Sequence, residues 1–342
     1  MSGATGIRFE RRGGLGLVIL DRPRALNALT LDMIRALDAR LDDWAGDAAV
    51  RTVAIRGAGG RAFCAGGDVR ALYDGDADFR ATFYRDEYRL NRRIFRYAKP
   101  YVALIDGVTM GGGVGVSVHG SHRVASERTL FAMPETGIGL FPDVGGGYFL
   151  PRRPGRIGMY LALTGARLRA ADCLYAGIAT HHVPGDRLDA LVDALADGDV
   201  DAVLARFATD PGPPPLAERR AAIDRCFAGG SVAAIVATLE AESGDWTRAT
   251  RETLAAKSPT SLKLTFRQLS AGATLDFEAV LVMEYRLSQF CMAGPDFFEG
   301  VRAVVIDKDN APRWRPATLA EVPEAKIDRA FRPLGDRDLD FD

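Results

Sequence analysis

Two short apolar runs, Val53 to Ile55 and Tyr101 to Ile105, empty directly into glycine: the first into the stretch from Gly57 to Gly67, the second into Gly107 and then Gly111-Gly112-Gly113. A buried strand that ends in residues without side chains brings the main chain close to a ligand and turns its amides toward it. Such junctions belong to chains that alternate strands with helices, and the sequence up to about Pro151 alternates in this way, so the fold class is α/β. A hairpin opens it, with Ile7 and Phe9 alternating with polar residues, Gly13-Gly14 at the turn, and Leu15, Leu17 and Ile19 alternating on the return. Thr30 then caps a helix whose apolar positions Met33, Ile34, Leu37 and Leu41 recur at helical spacing.

Beyond Pro151 the pattern turns helical. Arg156 to Leu163 closes on Gly165, and Leu188 to Leu195, Ala217 to Phe227 and Ser231 to Glu242 read as further amphipathic helices. The segment Pro211-Gly212-Pro213-Pro214-Pro215 cannot be helix interior and reads as a linker. Pro312 to Pro316 reads as the end of regular structure, and Asp336 to Asp342 as a loose tail.

Charge and cysteine usage exclude several classes of function. The 44 lysines and arginines balance 45 acids, so the net charge of −1 gives no global pull toward nucleic acid or a membrane surface. Cys64, Cys173, Cys226 and Cys291 are scattered without a C-x-x-C pair, which argues against zinc and against a disulfide framework. Met1 to Gly6 lacks a charged-then-apolar signal pattern, and no apolar run approaches the length of a membrane span; a cytoplasmic location is the expectation.

The chemistry-bearing residues lie in three places. Arg61-Ala62-Phe63-Cys64-Ala65-Gly66-Gly67-Asp68 offers main chain to a ligand and ends in an acid able to pin the loop through amide hydrogen bonds. Met110-Gly111-Gly112-Gly113-Val114-Gly115-Val116 follows a strand and starts a helix, so its free amides favour a developing oxyanion. Neither has the spacing of a dinucleotide or P-loop signature. Between Phe131 and Gly147, Glu135 and Asp143 sit alone among apolar, glycine and proline residues, where burial and mutual repulsion raise a carboxyl pKa; each could equally cap a helix or turn. His119 and His122, read onto the helix after the glycines, and His181-His182, read as loop, have no third ligand spaced to make a metal site. Phe83, Tyr84, Tyr88 and Met159 read as core, and Glu87 among them as solvated helix surface.

Together these stretches resemble the crotonase (enoyl-CoA hydratase/isomerase) superfamily. Asp21-Arg22-Pro23-Arg24-Ala25-Leu26-Asn27-Ala28-Leu29 is similar to its opening motif. Pro134-Glu135-Thr136, the run Gly139 to Tyr148, Phe298-Glu299-Gly300-Val301-Arg302-Ala303 and Asp307-Lys308-Asp309 resemble its 3-hydroxyisobutyryl-CoA hydrolase branch. The resemblance implies a spiral core of ββα units that binds CoA and carries catalysis over residues 1–205, followed by a helical region over 206–342. It implies an oxyanion hole from the amides of Gly67 and Gly112 and catalytic acids at Glu135 and Asp143. It also implies main-chain contacts to adenine at Ala65 and Gly66, phosphate contacts at Arg24 and Arg70, and a pocket-lining carboxyl at Glu87. Hydratases of the superfamily carry a second glutamate where this chain has Gly115, so efficient hydration is not expected. The implied activity is hydrolysis of a β-hydroxyacyl-CoA, 3-hydroxyisobutyryl-CoA foremost, as in valine degradation, with isomerisation or non-catalytic CoA binding as the alternatives. The implied partner is a small-molecule acyl-CoA, with homo-oligomer formation left open, and no metal, flavin or nicotinamide is required.

Overall fold

The structure of the chain, a computed structural model, describes residues 6–341. The reading of Met1 to Gly6 falls outside them apart from Gly6, as does Asp342 of the tail. Contacts divide the chain into two interleaved compact units: one holds residues up to Asp68, Arg89–Ala132 and Arg167–Ala217, the other Val69–Tyr88, Met133–Ala166 and Glu218–Asp342. The division expected between residues 205 and 206 therefore does not coincide with the one observed. The segment bearing Glu135 and Asp143 groups with the C-terminal helices, because the helix Pro259–Gly272 packs on the helices Gly146–Phe149 and Ile157–Thr164.

The first unit is built on strands β1 (Ile7–Arg12), β2 (Leu15–Leu20), β3 (Thr52–Gly57), β4 (Ala62–Cys64), β5 (Tyr101–Ile105), β6 (Val108–Met110), β7 (His122–Ala125), β8 (Leu130–Ala132) and β9 (His181–His182). They form a six-stranded sheet in the order β1-β2-β3-β5-β7-β9 and a three-stranded sheet in the order β4-β6-β8. β3, β5 and β7 of the larger sheet are each followed in sequence by one strand of the smaller, which makes the chain wind as the expected spiral. All pairs except β1 with β2 are parallel. The hairpin turns at Gly13-Gly14 as expected, with Gly13 at φ +53. Along β2, however, burial is continuous instead of alternating, because β2 is paired on both edges and covered on both faces.

Thr30 caps the helix Leu31–Gly46 as expected, its hydroxyl accepting from Met33 N at 3.2 Å; loss of such a cap costs about 1 kcal/mol. The opening motif has a structural task. Buried Asn27, at φ +58, donates to the carbonyls of Ala58 and Ala62 at 2.9 and 2.8 Å and accepts from Arg22 N. Arg22 in turn reaches Ala28 O at 2.7 Å and Asp68 at 3.0 Å. The first glycine loop is thus held at both ends by the segment from Arg22 to Leu29.

The second unit is largely helical. Its helices include Ile157–Thr164, ended by Gly165 at φ +67, and Val232–Ala241, Pro259–Gly272 and Phe277–Met292, whose caps are the side chains of Ser231, Ser258 and Asp276. Three expectations are corrected. Regular structure does not end at Pro316, since Glu324–Ala330 is a helix tied by Lys263 to Glu324. The tail is not loose where it is described: Arg286 grips Asp338 at 2.6 and 2.9 Å, and Leu339 is buried. The helix after the glycines is a single turn, Gly112–Gly115, which leaves His119 in a turn and His122 in β7; His181-His182 is strand β9, not loop.

Candidate active site

In the first unit the two glycine loops meet. A β-carbon placed on Gly66, at φ +124, would stand 3.6 Å from Met110 O and 3.8 Å from Gly112 N. One on Gly113 would fall 2.3 Å from Cys64 O, so the close approach of β4 and the second loop depends on glycine there. Gly111, at φ +49 and ψ −124, turns the chain in a conformation that suits glycine, and Gly112 follows as the first residue of the helical turn. Among the described residues neither Gly67 N nor Gly112 N donates to a protein acceptor. The amide of Ala65 donates to Leu26 O, and the carbonyl of Gly66 accepts from Leu29 N, so these two groups brace the loop internally. Asp68 pins the loop, though by taking the Arg22 guanidinium in an ion pair. Arg24 is exposed in a 3-10 turn, Pro23–Ala25.

In the second unit Arg70 is exposed and paired with Asp74 at 3.6 Å. The carboxyls lie deeper. Glu135 opens the 3-10 turn Glu135–Ile138 directly after Pro134, which stops β-type extension and starts the turn. Two glycines hold this turn against the chain's distal segment: a β-carbon on Gly139 would sit 2.2 Å from the Asp296 carbonyl carbon, and one on Gly300 2.5 Å from Ile138. The motif from Phe298 to Ala303 is therefore a brace for the acid-bearing turn, with Arg302 held by Glu299, Asp307 and Asp309 at 2.8, 2.7 and 2.7 Å.

Glu135 is 4% exposed and Asp143 7%. Burial, and after it the charge of Asp143, pushes the Glu135 carboxyl well above the carboxylate range. Burial likewise lifts Asp143 to about 7, against the hydrogen bond that Tyr88 Oη donates to its Oδ2 at 3.1 Å. Glu87 is 2% exposed, so its reading as solvated surface is corrected: it shares a buried helix face with Tyr84 and Tyr88. Burial first, then the charge of Asp143, raises its pKa well above the ordinary value. Glu87 Oε1 and Glu135 Oε2 are buried with no protein partner among the described residues. Glu87 and Glu135, each raised by burial and by the charge of Asp143, cannot readily ionise together with it near neutrality, which suits a site passing protons between groups.

The pattern reading missed three contributors. Tyr88 was read as core, which it is, but its hydroxyl also serves Asp143. Glu284 and Gln268 hold the loop around Asp143. The signal for Glu284 was present: it falls on the buried stripe Val280, Leu287 and Cys291 of an otherwise apolar helix face. Among the described residues no group of three or more His, Cys, Asp or Glu is placed to hold a metal ion.

The enoyl-CoA hydratase/isomerase family model matches residues 15–331. A curated relative from Danio rerio, named "3-hydroxyisobutyryl-CoA hydrolase, mitochondrial", is 52% identical over 97% of this chain and 91% of its own length. The protein of the same name from Homo sapiens is 46% identical over 99% and 91%. Among solved structures, one described as a carnitinyl-CoA dehydratase from Mycobacterium thermoresistibile aligns with a TM-score of 0.95 at 44% identity, covering 99% of each chain. One described as an enoyl-CoA hydratase from Rhodobacter sphaeroides 2.4.1 aligns at 0.92 and 40%, covering 98% of this chain and 100% of its own. The curated relatives are named mitochondrial, which overturns the cytoplasmic location expected from the sequence.

Proposed function

The chain belongs to the enoyl-CoA hydratase/isomerase family, in its 3-hydroxyisobutyryl-CoA hydrolase branch, and on that premise we propose that it hydrolyses 3-hydroxyisobutyryl-CoA to 3-hydroxyisobutyrate and CoA. The observation that carries the reading is the pairing of two buried, mutually repelling carboxyls, Glu135 and Asp143, with a glycine at position 115. Hydration across a double bond needs a second acid-base group at that position, and a glycine has none; loss of such a group costs ~10²–10⁴ in rate. The descriptions of the two solved structures as dehydratase and hydratase favour a second reading, and Gly115 argues against it for this chain.

The amides of Gly67 and Gly112 take the charge that develops on the thioester oxygen, each such donor contributing ~2.7–4 kcal/mol in the transition state. Glu135, made a stronger base by burial, deprotonates the attacking water or itself attacks the carbonyl to give an anhydride that water then opens. Either way one water is consumed, the C–S bond breaks and CoA leaves as the thiol. Asp143 orients the β-hydroxyl and relays the proton, and Glu87 lines the acyl pocket beside it. Ala65 and Gly66 face the adenine, with Arg24 and Arg70 toward the phosphates. The reaction draws on no metal, flavin or nicotinamide.

Purified protein without added metal should release CoA thiol from 3-hydroxyisobutyryl-CoA and hydrate crotonyl-CoA at least ~10²-fold more slowly. Failure on every thioester removes the hydrolase, and a hydration rate matching hydrolysis favours the second reading.

A further inference from the structure

The helix Phe277–Met292 carries a carboxylate, Glu284, that is 0% exposed and has no part in the chemistry described above. Its Oε2 accepts from Gly145 N at 2.7 Å. Its Oε1 accepts from Gly147 N at 2.7 Å and from Gln268 Nε2 at 2.9 Å. The same Gln268 nitrogen donates to Pro142 O at 2.7 Å. Asp143 thus stands between a carbonyl held by one side chain and two amides held by another.

The loop needs that hold. Val144 lies at φ +50 and Gly145 at φ +85, consecutive left-handed conformations of which the first is strained for a β-branched residue. A strained loop keeps its shape only when its surroundings over-determine it, and the amides turned toward Glu284 form a concave nest that an anion fills. The three protein groups hydrogen-bonded to the Glu284 oxygens are all donors, so the loop uses this carboxyl as an acceptor on both oxygens. Burying a carboxylate is costly, and a helix face made of Val280, Leu287 and Cys291 would be filled more cheaply by leucine.

We propose that Glu284, acting with Gln268, is the positioning residue for Asp143, fixing where its carboxyl stands by clamping the backbone on both sides of it. This rests on the hydrolase reading for its kinetic consequence alone. Asp143 is faced by Glu87, Tyr84 and Tyr88 from the helix Ala77–Phe95, by Glu135 from its own segment, and by Glu284 and Cys291 from the helix Phe277–Met292. Burial, and the charge of Asp143 with it, lifts Glu284 to about 8, so the two carboxyls are electrostatically linked and a shift of the loop moves the pH at which Asp143 titrates.

The test is Glu284→Gln in the full chain. The amide nitrogen offers a donor where the loop needs an acceptor, so one of Gly145 N and Gly147 N loses its partner. A displacement of about 1 Å at a reacting group costs on the order of 10²-fold, so kcat on 3-hydroxyisobutyryl-CoA should fall ~10–100-fold with KM nearly unchanged. Carboxyl-carbon NMR should show the Asp143 titration displaced from its wild-type pH. Gln268→Met, which frees Pro142 O and removes one of the three donors to Glu284 while leaving both loop amides their partner, should give a smaller kcat loss and serves if the first variant does not fold. Wild-type kcat in the variants, or an activity loss that merely tracks the fall in Tm with the Asp143 titration unmoved, overturns the clamp. A wild type inactive on thioesters would overturn the hydrolase reading instead, while the titration would still decide the clamp.

Discussion

Glu135 and Asp143 share a buried region but differ in their partners, and the difference assigns their work. Asp143 has Tyr88 donating to it and reaches about 7, while one oxygen of Glu135 is left without a partner and its pKa is raised by burial and by Asp143. Glu135→Gln keeps the shape but can neither take a proton nor attack, so kcat should fall by ~10²–10⁴ with CoA binding, followed by calorimetry, unchanged. A variant that keeps most of its kcat makes Glu135 structural. Asp143→Asn should lower kcat on β-hydroxyacyl substrates more than on simple acyl-CoAs, and an equal effect on both would detach Asp143 from the hydroxyl. Both acids were visible in the sequence because each is a lone charge in an apolar, glycine-rich run. The roles of Tyr88 and of Glu284, whose place on an apolar stripe marks it only as buried, were not, because an aromatic or a single acid on a long helix has the same local pattern whether it fills space or holds a partner. Only the place of the Asp143 loop, 55 residues along the chain from Tyr88 and, at Gly145, 139 from Glu284, separates the two cases.

At the scale of elements, the distal motif shows what a glycine between two helices contributes. Gly300 lies in the helix Pro295–Val301, and its Cα faces Ile138 so closely that a β-carbon would come within 2.5 Å of that residue's Cα and carbonyl carbon. Gly300→Val should push the turn Glu135–Ile138 off its seat. Overpacking of this kind costs ~1–3 kcal/mol, so a lower Tm is expected together with a kcat loss larger than the stability change alone explains at assay temperature. An unchanged kcat at that temperature would mean that the turn does not need this seat. The hairpin, the Thr30 cap and the two strand-to-glycine junctions were legible because each is set by neighbours in sequence. The single helical turn after Gly111 and strand β9 were not: the length of one is cut by the return into β7, and the other exists because β7 offers it an edge.

Across the whole molecule, the ββα spiral was legible through the resemblance, since the order of strands in two sheets is set by pairings between distant segments. The grouping of residues 133–166 with the C-terminal helices, and the anchoring of the tail by Arg286, were not, because both rest on contacts more than a hundred, or some fifty, residues apart. The buried acids also give the fold a characteristic response to pH. In the native state Asp143 and Glu284 keep their protons up to about 7 and about 8, chiefly through burial. In the unfolded chain they lose them near the ordinary carboxylate value of ~4. Between those limits the native state binds more protons than the unfolded one, so their contribution to stability is fully present below ~4 and is lost as pH rises toward the folded values. Glu127, Asp189 and Glu299, whose pKa values are lowered, act in the opposite sense and only at acid pH, losing their contribution as pH falls through the folded values. Tm should therefore decline between about pH 5 and about pH 9. Asp143→Asn removes one of the groups that cause the decline, so the variant should melt higher than the wild type by about 2–4 °C near the alkaline end, with the gap closing toward the acid end. Thermal melts of both proteins across that range check it: a wild-type Tm that does not fall, or a gap independent of pH, would mean that Asp143 titrates in the folded protein much as it does in the unfolded chain.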